Sequence, residues 1–507
     1  MDQNDTTARR DRRLCLGLAL LWWALSFWYE RFAFEPGSAA TSRLTWLCIK
    51  LLLLATLWAL LRLFFAAARD FRSRGPASST LLCALPVFLP VTAFWAVSSA
   101  WPLGPGDQYN IFYSALSYYT FGGFFFYLTT WLPMLAMNIL PFPAFTVVFK
   151  IFTISLGAGW CVYRLKRLTG SRAAWLLYVP FLVPPGLYQS YNIHRMPSYA
   201  VLYLVLSCKL LCDRIEERGI SRGVYALLCL ALAVLTQWRS EGIYLLLLGP
   251  VLLWFAYRPK LTRRQIALAL AVFYAAELLV WLPQSREHEM STGDRSMPLF
   301  EALITGMERK GLDKEKNAAD LALVDRYIDL EALHALNEEL GDYCYNDNLI
   351  LYYGMRPNPS EADKAAFREA MVRIVLHNPL VYLRNQISCW IHISEQVYHD
   401  RKLDTIANVF QRLYLPTLWL FVLWIWLLVR KKWSAWFVTS AHLCHMAITT
   451  ALLPAAYFKY YYAGYLYAFL TAALALGLLL RRRRAGRGPA ADAESEQSGP
   501  SFSKEEP

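Results

Sequence analysis

The chain has 507 residues, of which 56% are hydrophobic and 18% charged, with a formal net charge of +13. A soluble protein of this length would need far more polar surface, so the composition excludes a soluble globular protein and points to a membrane-embedded one. The positive charge does not indicate a nucleic-acid surface: 28 Lys and Arg lie in seven alternate loops, Arg9–Arg13, Arg62–Arg74, Arg164–Arg172, Lys209–Arg222, Arg258–Arg264, Arg430–Lys432 and Arg481–Arg487. The intervening turns hold five, Arg31, Arg43, Arg195, Arg239 and Lys459, which is the bias that marks cytoplasmic loops.

In chain order, the apolar runs predict twelve spans, at roughly 14–29, 44–66, 80–98, 143–163, 173–188, 198–212, 223–237, 242–256, 265–283, 412–429, 434–453 and 461–480. Residues 1–13 are a cytoplasmic N-terminus. The bulky Phe27, Trp28 and Tyr29 closing the first run favour a retained helix over a cleaved signal peptide. Residues 119–141 are apolar enough to span, but counting them would turn the basic 164–172 loop outward. The segment 99–142 therefore reads as one outer loop with interfacial helices, and 14–283 as the first part of the membrane domain.

Residues 284–411 differ in character. They hold 21 acidic and 14 basic residues and predict a mostly helical extracytoplasmic insert. Ser360 followed by Asp363 predicts a helix start, Asn378-Pro379 a break after His377, and a second helix runs to about 397. Cys344 and Cys389 both fall in this insert and are candidates for a disulfide if it faces an oxidising compartment. Residues 412–480 supply the last three spans, and 481–507 predict a disordered cytoplasmic tail. The fold class is thus all-α: a polytopic helical bundle at the cell membrane with both termini cytoplasmic.

Polar residues at the outer turns are few, so each is informative. Asp107, in Gly-Pro-Gly-Asp-Gln-Tyr-Asn, is the only acid in 99–142, where there is no Lys or Arg. A lone carboxylate among aromatics suits a general base, and Asp is equally a favoured helix N-cap. The next turns present His194 and Arg195, then Arg239 and Glu241 in Arg-Ser-Glu-Gly, then Lys459 and Tyr461 in an aromatic run. Three cations at one membrane surface suit a phosphate, while one alone would be a snorkelling anchor. Lys150 and Glu277, inside spans but near the same face, are accessory candidates; Lys50, also inside a span, has no evident partner and reads as snorkelling. His442 and His445 share a helical face without a carboxylate beside them and read as packing, not metal ligands.

This order of features resembles the integral-membrane glycosyltransferases of the GT-C superfamily, bacterial and protein-mannosyltransferase-like in type. The likeness covers roughly residues 80–480 and rests on Asp107 early in a long outer loop, the Arg239–Gly242 turn, His377-Asn378-Pro379 followed by Tyr382-Leu383, and the aromatic turn around Lys459. It implies an inverting enzyme that moves a sugar from a polyprenyl-phosphate carrier to an extracytoplasmic acceptor, a glycolipid, polysaccharide or protein. Asp107 would deprotonate the acceptor, and Arg239, His194 or Arg195, and Lys459 would hold the leaving phosphate. The partners implied are that carrier, membrane lipid and the acceptor, with no nucleic acid and no required cofactor. Gln108 stands where many relatives carry a second acid, which counts against a metal. The alternatives are a transporter or flippase of a lipid-linked or anionic substrate, and a polysaccharide polymerase or ligase.

Overall fold

The computed structural model describes residues 3–35, 40–98, 107–120, 126–257, 262–288, 297–340, 354–393, 401–452 and 457–486. Among these residues the chain is all-helical, and its only β feature is an isolated antiparallel bridge between Ile328 and Met355. The first half runs α1 (Gln3–Ala33), α2 (Ala40–Arg69), α3 (Pro76–Val97), α4 (Asp107–Leu116), α5 (Leu128–Ile139), α6 (Pro143–Thr169), α7 (Val179–Leu182), α8 (Pro184–Tyr191), α9 (Arg195–Ile215), α10 (Arg222–Trp238), α11 (Leu245–Tyr257) and α12 (Arg263–His288). The second runs α13 (Met297–Arg309), α14 (Ala318–Val324), α15 (Leu330–Leu340), α16 (Glu361–His377), α17 (Pro379–Ile391), α18 (Arg401–Gln411), α19 (Tyr414–Val429), α20 (Trp433–Leu452) and α21 (Tyr462–Gly486).

Eight helical segments among the described residues are long and apolar enough to cross a membrane: Ser42–Arg69, Pro76–Val97, Pro143–Thr169, Arg195–Ile215, Ser240–Tyr257, Arg263–Pro283, Asn408–Val429 and Tyr462–Arg484. They differ in depth. The most apolar stretch of α9 is 78% buried, and those of α6 and α21 are 61% buried, against 17% for α2 and α12. The bundle is therefore built around α9, and the outer helices turn residues such as Leu268, Leu279 and Leu418 to their surroundings. Exposed leucines in such numbers are stable against lipid tails, not water.

The basic helix ends meet at one end of the bundle. Arg164 at the end of α6 pairs with Asp213 at the end of α9 (3.1 Å), and Tyr257 at the end of α11 donates to the same carboxylate (2.9 Å). Arg481 donates to the Leu168 carbonyl (2.9 Å), and Arg69 reaches Asp11 (3.3 Å).

Several predicted elements take a different form. The predicted span 173–188 is not one helix. It divides into a 3-10 segment Arg172–Tyr178, then α7 and α8, because Pro184 and Pro185 interrupt the helix and Gly186 sits against the Pro180 carbonyl where a Cβ would be 1.8 Å away. The loop 99–142 holds α4 and α5, 10 and 12 residues long, both too short to span. However, α5 is buried along Met134–Ile139 against α2 and α6, so protein and not an interface surrounds it.

Lys50 does not snorkel. It is 1% exposed and pairs with Glu30 (2.8 Å), while its ammonium donates to Asn138 Oδ1 (2.8 Å) and Ser26 Oγ (3.0 Å). Trp46 and Tyr118 each donate to Glu30 Oε1 at 2.6 Å, and Asn138 Nδ2 donates to the Tyr118 hydroxyl at 3.1 Å. A buried charge persists only when paired and fully hydrogen-bonded, and this one is. The network ties the α1–α2 hairpin to the segment holding α4 and α5.

The insert has its own core, centred on Ile304, Val324, Ile328, Phe367 and Ile374. Ser360 and Asp363 form the expected reciprocal capping box, α16 ends at His377, and Asn378 and Pro379 start α17, which stops at Ile391 instead of continuing to about 397. Cys389 is a free thiol, 2% exposed, pushed up to about 12 by burial. Cys344 and the tail 487–507 lie outside the described residues.

Candidate functional site

The end of the bundle opposite the basic one gathers three of the predicted turns. At the first, Asn192 Oδ1 accepts the His194 backbone N–H (2.9 Å), which bends the chain into α9, and Lys150 Nζ donates to the His194 carbonyl (2.9 Å). Lys150 therefore braces the turn from α6. Arg195 reaches the neighbouring turn by donating from Nη1 to the Trp238 carbonyl (3.3 Å), one of the orphan carbonyls that end α10.

The second turn has a local cause. Arg239 leaves helical geometry (φ −140°, ψ 140°), and Gly242 packs so close to α10 that a Cβ would lie 2.3 Å from the Leu235 carbonyl oxygen. Only glycine permits that fold-back. It sets Arg239 and Glu241 side by side as a two-pronged ion pair: Arg239 Nε donates to Glu241 Oε2 at 3.1 Å, and Nη2 to Oε1. The remaining arm of Arg239 meets the Met196 sulfur. Arg239 is 2% exposed and Glu241 3%.

This corrects the expectation that Arg239 is an open phosphate ligand. Its fork is spent on Glu241, and its side chain is buried. Above and beside it lie the rings of Tyr199 (5.7 Å from the guanidinium carbon to the centroid) and Tyr460 (5.2 Å). Tyr460 links the third turn: the Lys459 ammonium lies 5.6 Å from its centroid and 4.5 Å from that of Tyr457. Arg195 and Lys459 are half-buried, whereas His194 is buried. Tyr461 donates to or accepts from Thr450 Oγ1 at 3.1 Å. The carbonyl of Thr450 accepts from Gln386 of α17 (2.9 Å), so the insert is fastened to the same corner.

The loop of Asp107 reaches this end through α5, whose Thr129 Oγ1 accepts from Trp238 Nε1 at 3.1 Å. Asp107 is the first residue of α4, and its side chain lies outside the described residues. Glu277 is held by neutral donors, Thr236 Oγ1 (2.9 Å) and Gln237 Nε2 (3.0 Å), in the α10–α12 seam. None of its hydrogen bonds runs to the Arg239 pair.

Sequence reasoning missed the aromatic wall beneath the pair. His445 stacks on Tyr199 (5.5 Å, 28° between planes), and His442 lies sandwiched between Tyr203 and Tyr467 at 3.9 Å from each. Ser207 Oγ meets His442 Nε2 at 2.9 Å, and Tyr203 shares a hydrogen bond with Tyr244 at 3.0 Å. The Tyr199 hydroxyl is buried with no partner at hydrogen-bond geometry. The available signal was the spacing: 199, 203 and 207 on α9, and 442, 445 and 449 on α20, each a polar stripe along an otherwise apolar helix. Among the described residues, no three His, Cys, Asp or Glu side chains group as a metal site.

No protein-family model matches the chain, and neither a curated protein nor a solved structure matches it.

Proposed function

We propose that the chain is a membrane glycosyltransferase of GT-C type that moves a sugar from a polyprenyl-phosphate carrier to an extracytoplasmic acceptor. The observation that carries this reading is the convergence of Arg195, the Arg239–Glu241 pair and Lys459 on one corner of the bundle, with the Asp107 loop fastened to it through Thr129 and Trp238. A leaving phosphate gains charge, and cations fixed beforehand stabilise that transition state. In this reading the rim cations Arg195 and Lys459 take the phosphate. Arg239 and Glu241 hold the floor rigid, and half-buried Tyr460 supplies the aromatic surface on which a sugar stacks, with Tyr199 and His445 packed behind it.

The topology belongs to the same proposal. Twelve spans, with α7 and α8 together completing a broken one, put the basic ends in the cytoplasm and the insert and the site outside. Asp107, at the start of α4, would be the general base. A transporter would use the same cations but would not need that base.

Asp107→Asn separates the two. It nearly conserves shape, so carrier binding should persist while transfer falls by about 10²- to 10⁴-fold, the usual contribution of a general base. Unimpaired transfer would remove Asp107 from the mechanism. Topology is open to labelling of single cysteines introduced at Lys364 and Arg430, since the native Cys389 is buried and its thiol is held protonated. Position 364 should react from outside only, and position 430 from inside only.

A further inference from the structure

At the basic end, a cavity of about 530 Å³ opens between the last turn of α6 and the last turns of α21. Three guanidiniums line it, those of Arg167, Arg481 and Arg484, together with Gly170 and Glu216. Gly170 ends α6 in the left-handed conformation (φ +63°), which turns the chain away and leaves the last α6 carbonyls facing the cavity edge. Arg481 Nη1 donates to the Leu168 carbonyl (2.9 Å), Arg484 Nη1 to the Gly170 carbonyl (3.3 Å) and Arg167 Nη1 to the Tyr163 hydroxyl (3.4 Å). One of the five donors that an arginine carries is thus engaged on each guanidinium.

The acid on the wall does not cancel this charge. Glu216 Oε2 is already matched by Arg164 Nη2 (2.7 Å) and Arg218 Nε (2.8 Å), two guanidiniums that are not part of the lining. The cavity is therefore a positively charged bowl lined by three arginines, whose guanidiniums suit phosphate oxygens. Both walls belong to helices apolar enough to cross a membrane. On α21, exposed Leu476 (44%) and half-buried Leu480 precede Arg484 at successive spacings of four, an apolar strip for acyl chains leading to the charged rim.

We propose that this cavity binds the phosphate of an anionic phospholipid headgroup, with the acyl chains lying along Leu476 and Leu480. Basic pockets between helix ends on the cytoplasmic side recognise lipid headgroups in this manner. The site lies at the opposite end of the bundle from the Arg239 corner and does not depend on its chemistry.

The test uses the purified full chain in neutral detergent micelles, titrated separately with phosphatidylglycerol, phosphatidylcholine and inorganic phosphate, with the thermal midpoint as readout. Phosphatidylglycerol should raise the midpoint. Arg167→Gln/Arg484→Gln should shift the half-saturating lipid concentration at least tenfold. Arg430→Gln/Lys432→Gln removes equal charge at the same end but outside the cavity and should leave it unchanged. If the glutamine pair does not fold, Arg484→Gln alone carries the comparison. An equal loss in the Arg430/Lys432 control would reduce the effect to general surface charge and overturn the proposal. So would an equal rise with phosphatidylcholine, or the same rise with inorganic phosphate at matched concentration, which would make it a soluble-anion site.

Discussion

Of the buried acid–base pairs in this bundle, two are built differently. Lys50–Glu30 is saturated: Ser26, Asn138, Trp46 and Tyr118 take up the remaining donors and acceptors around it. Arg239–Glu241 is also closed upon itself, but its surroundings are not, since the Tyr199 hydroxyl stays buried without a partner. An unsatisfied buried polar group costs about 1–3 kcal/mol, so a protein retains one where something else uses it. The first pair reads as a fastening between the α1–α2 hairpin and the loop of Asp107. The second reads as the floor of a binding site.

The largest effects should fall on the pairs themselves. Lys50→Ala should destabilise by about 3–5 kcal/mol because it leaves Glu30 buried and unpaired, and Glu30→Met/Lys50→Met should return most of that loss. Arg239→Ala should cost a similar amount, and Arg239→Met/Glu241→Met should also recover stability, measured by denaturant unfolding in micelles. The contrast lies in function: the Lys50 double variant should keep sugar transfer and the Arg239 double variant should not. If both keep it, the two pairs are equivalent fastenings and the comparison fails.

A finer contrast uses two tyrosines. Tyr118→Phe removes a hydroxyl bonded to a charged carboxylate and should cost about 1.5–3 kcal/mol. Tyr199→Phe removes one with no partner, so stability should change by less than about 0.5 kcal/mol while the KM for the carrier rises. A large destabilisation by Tyr199→Phe would mean that its hydroxyl is structural.

The smallest effect concerns the insert. The Leu330 N–H, with Arg356 beside it, holds the Asp325 carboxyl below its ordinary value, and the Ser360 hydroxyl lowers Asp363 in the same direction. A depressed carboxyl stabilises the fold above its unfolded value, near 3.9, and that contribution is lost as pH falls toward the lower folded value. Hydrogen exchange in α15 and α16 should therefore be flat near neutral pH and accelerate below about pH 4, beyond the intrinsic pH dependence of exchange. No such acceleration would mean that these carboxyls do not couple to folding.

What the sequence made legible was local or periodic. Hydropathy located the helices, and the Ser360–Asp363 box announced itself by spacing three. The alternation of basic loops ordered the ends well enough to bring 194–195, 239–241 and 459–461 to one corner. What it hid was non-local. Lys50 seemed partnerless because Glu30 lies 20 residues earlier on a different helix and Asn138 lies 88 residues later. His442 and His445 seemed inert because Tyr203 and Tyr199, on which they stack, stand on α9, more than 200 residues away. Arg239 seemed free because a bidentate contact across two residues needs the Gly242 fold-back, which spacing alone does not reveal.

The most direct measurement is photocrosslinking by a polyprenyl phosphate carrying its reactive group next to the phosphate, followed by peptide mapping. The labelled peptides should contain residues 191–199, 238–244 and 442–461. Labelling confined to the Lys50 region or to the basic end at 164–172 and 481–486 would contradict a carrier site at the Arg239 corner.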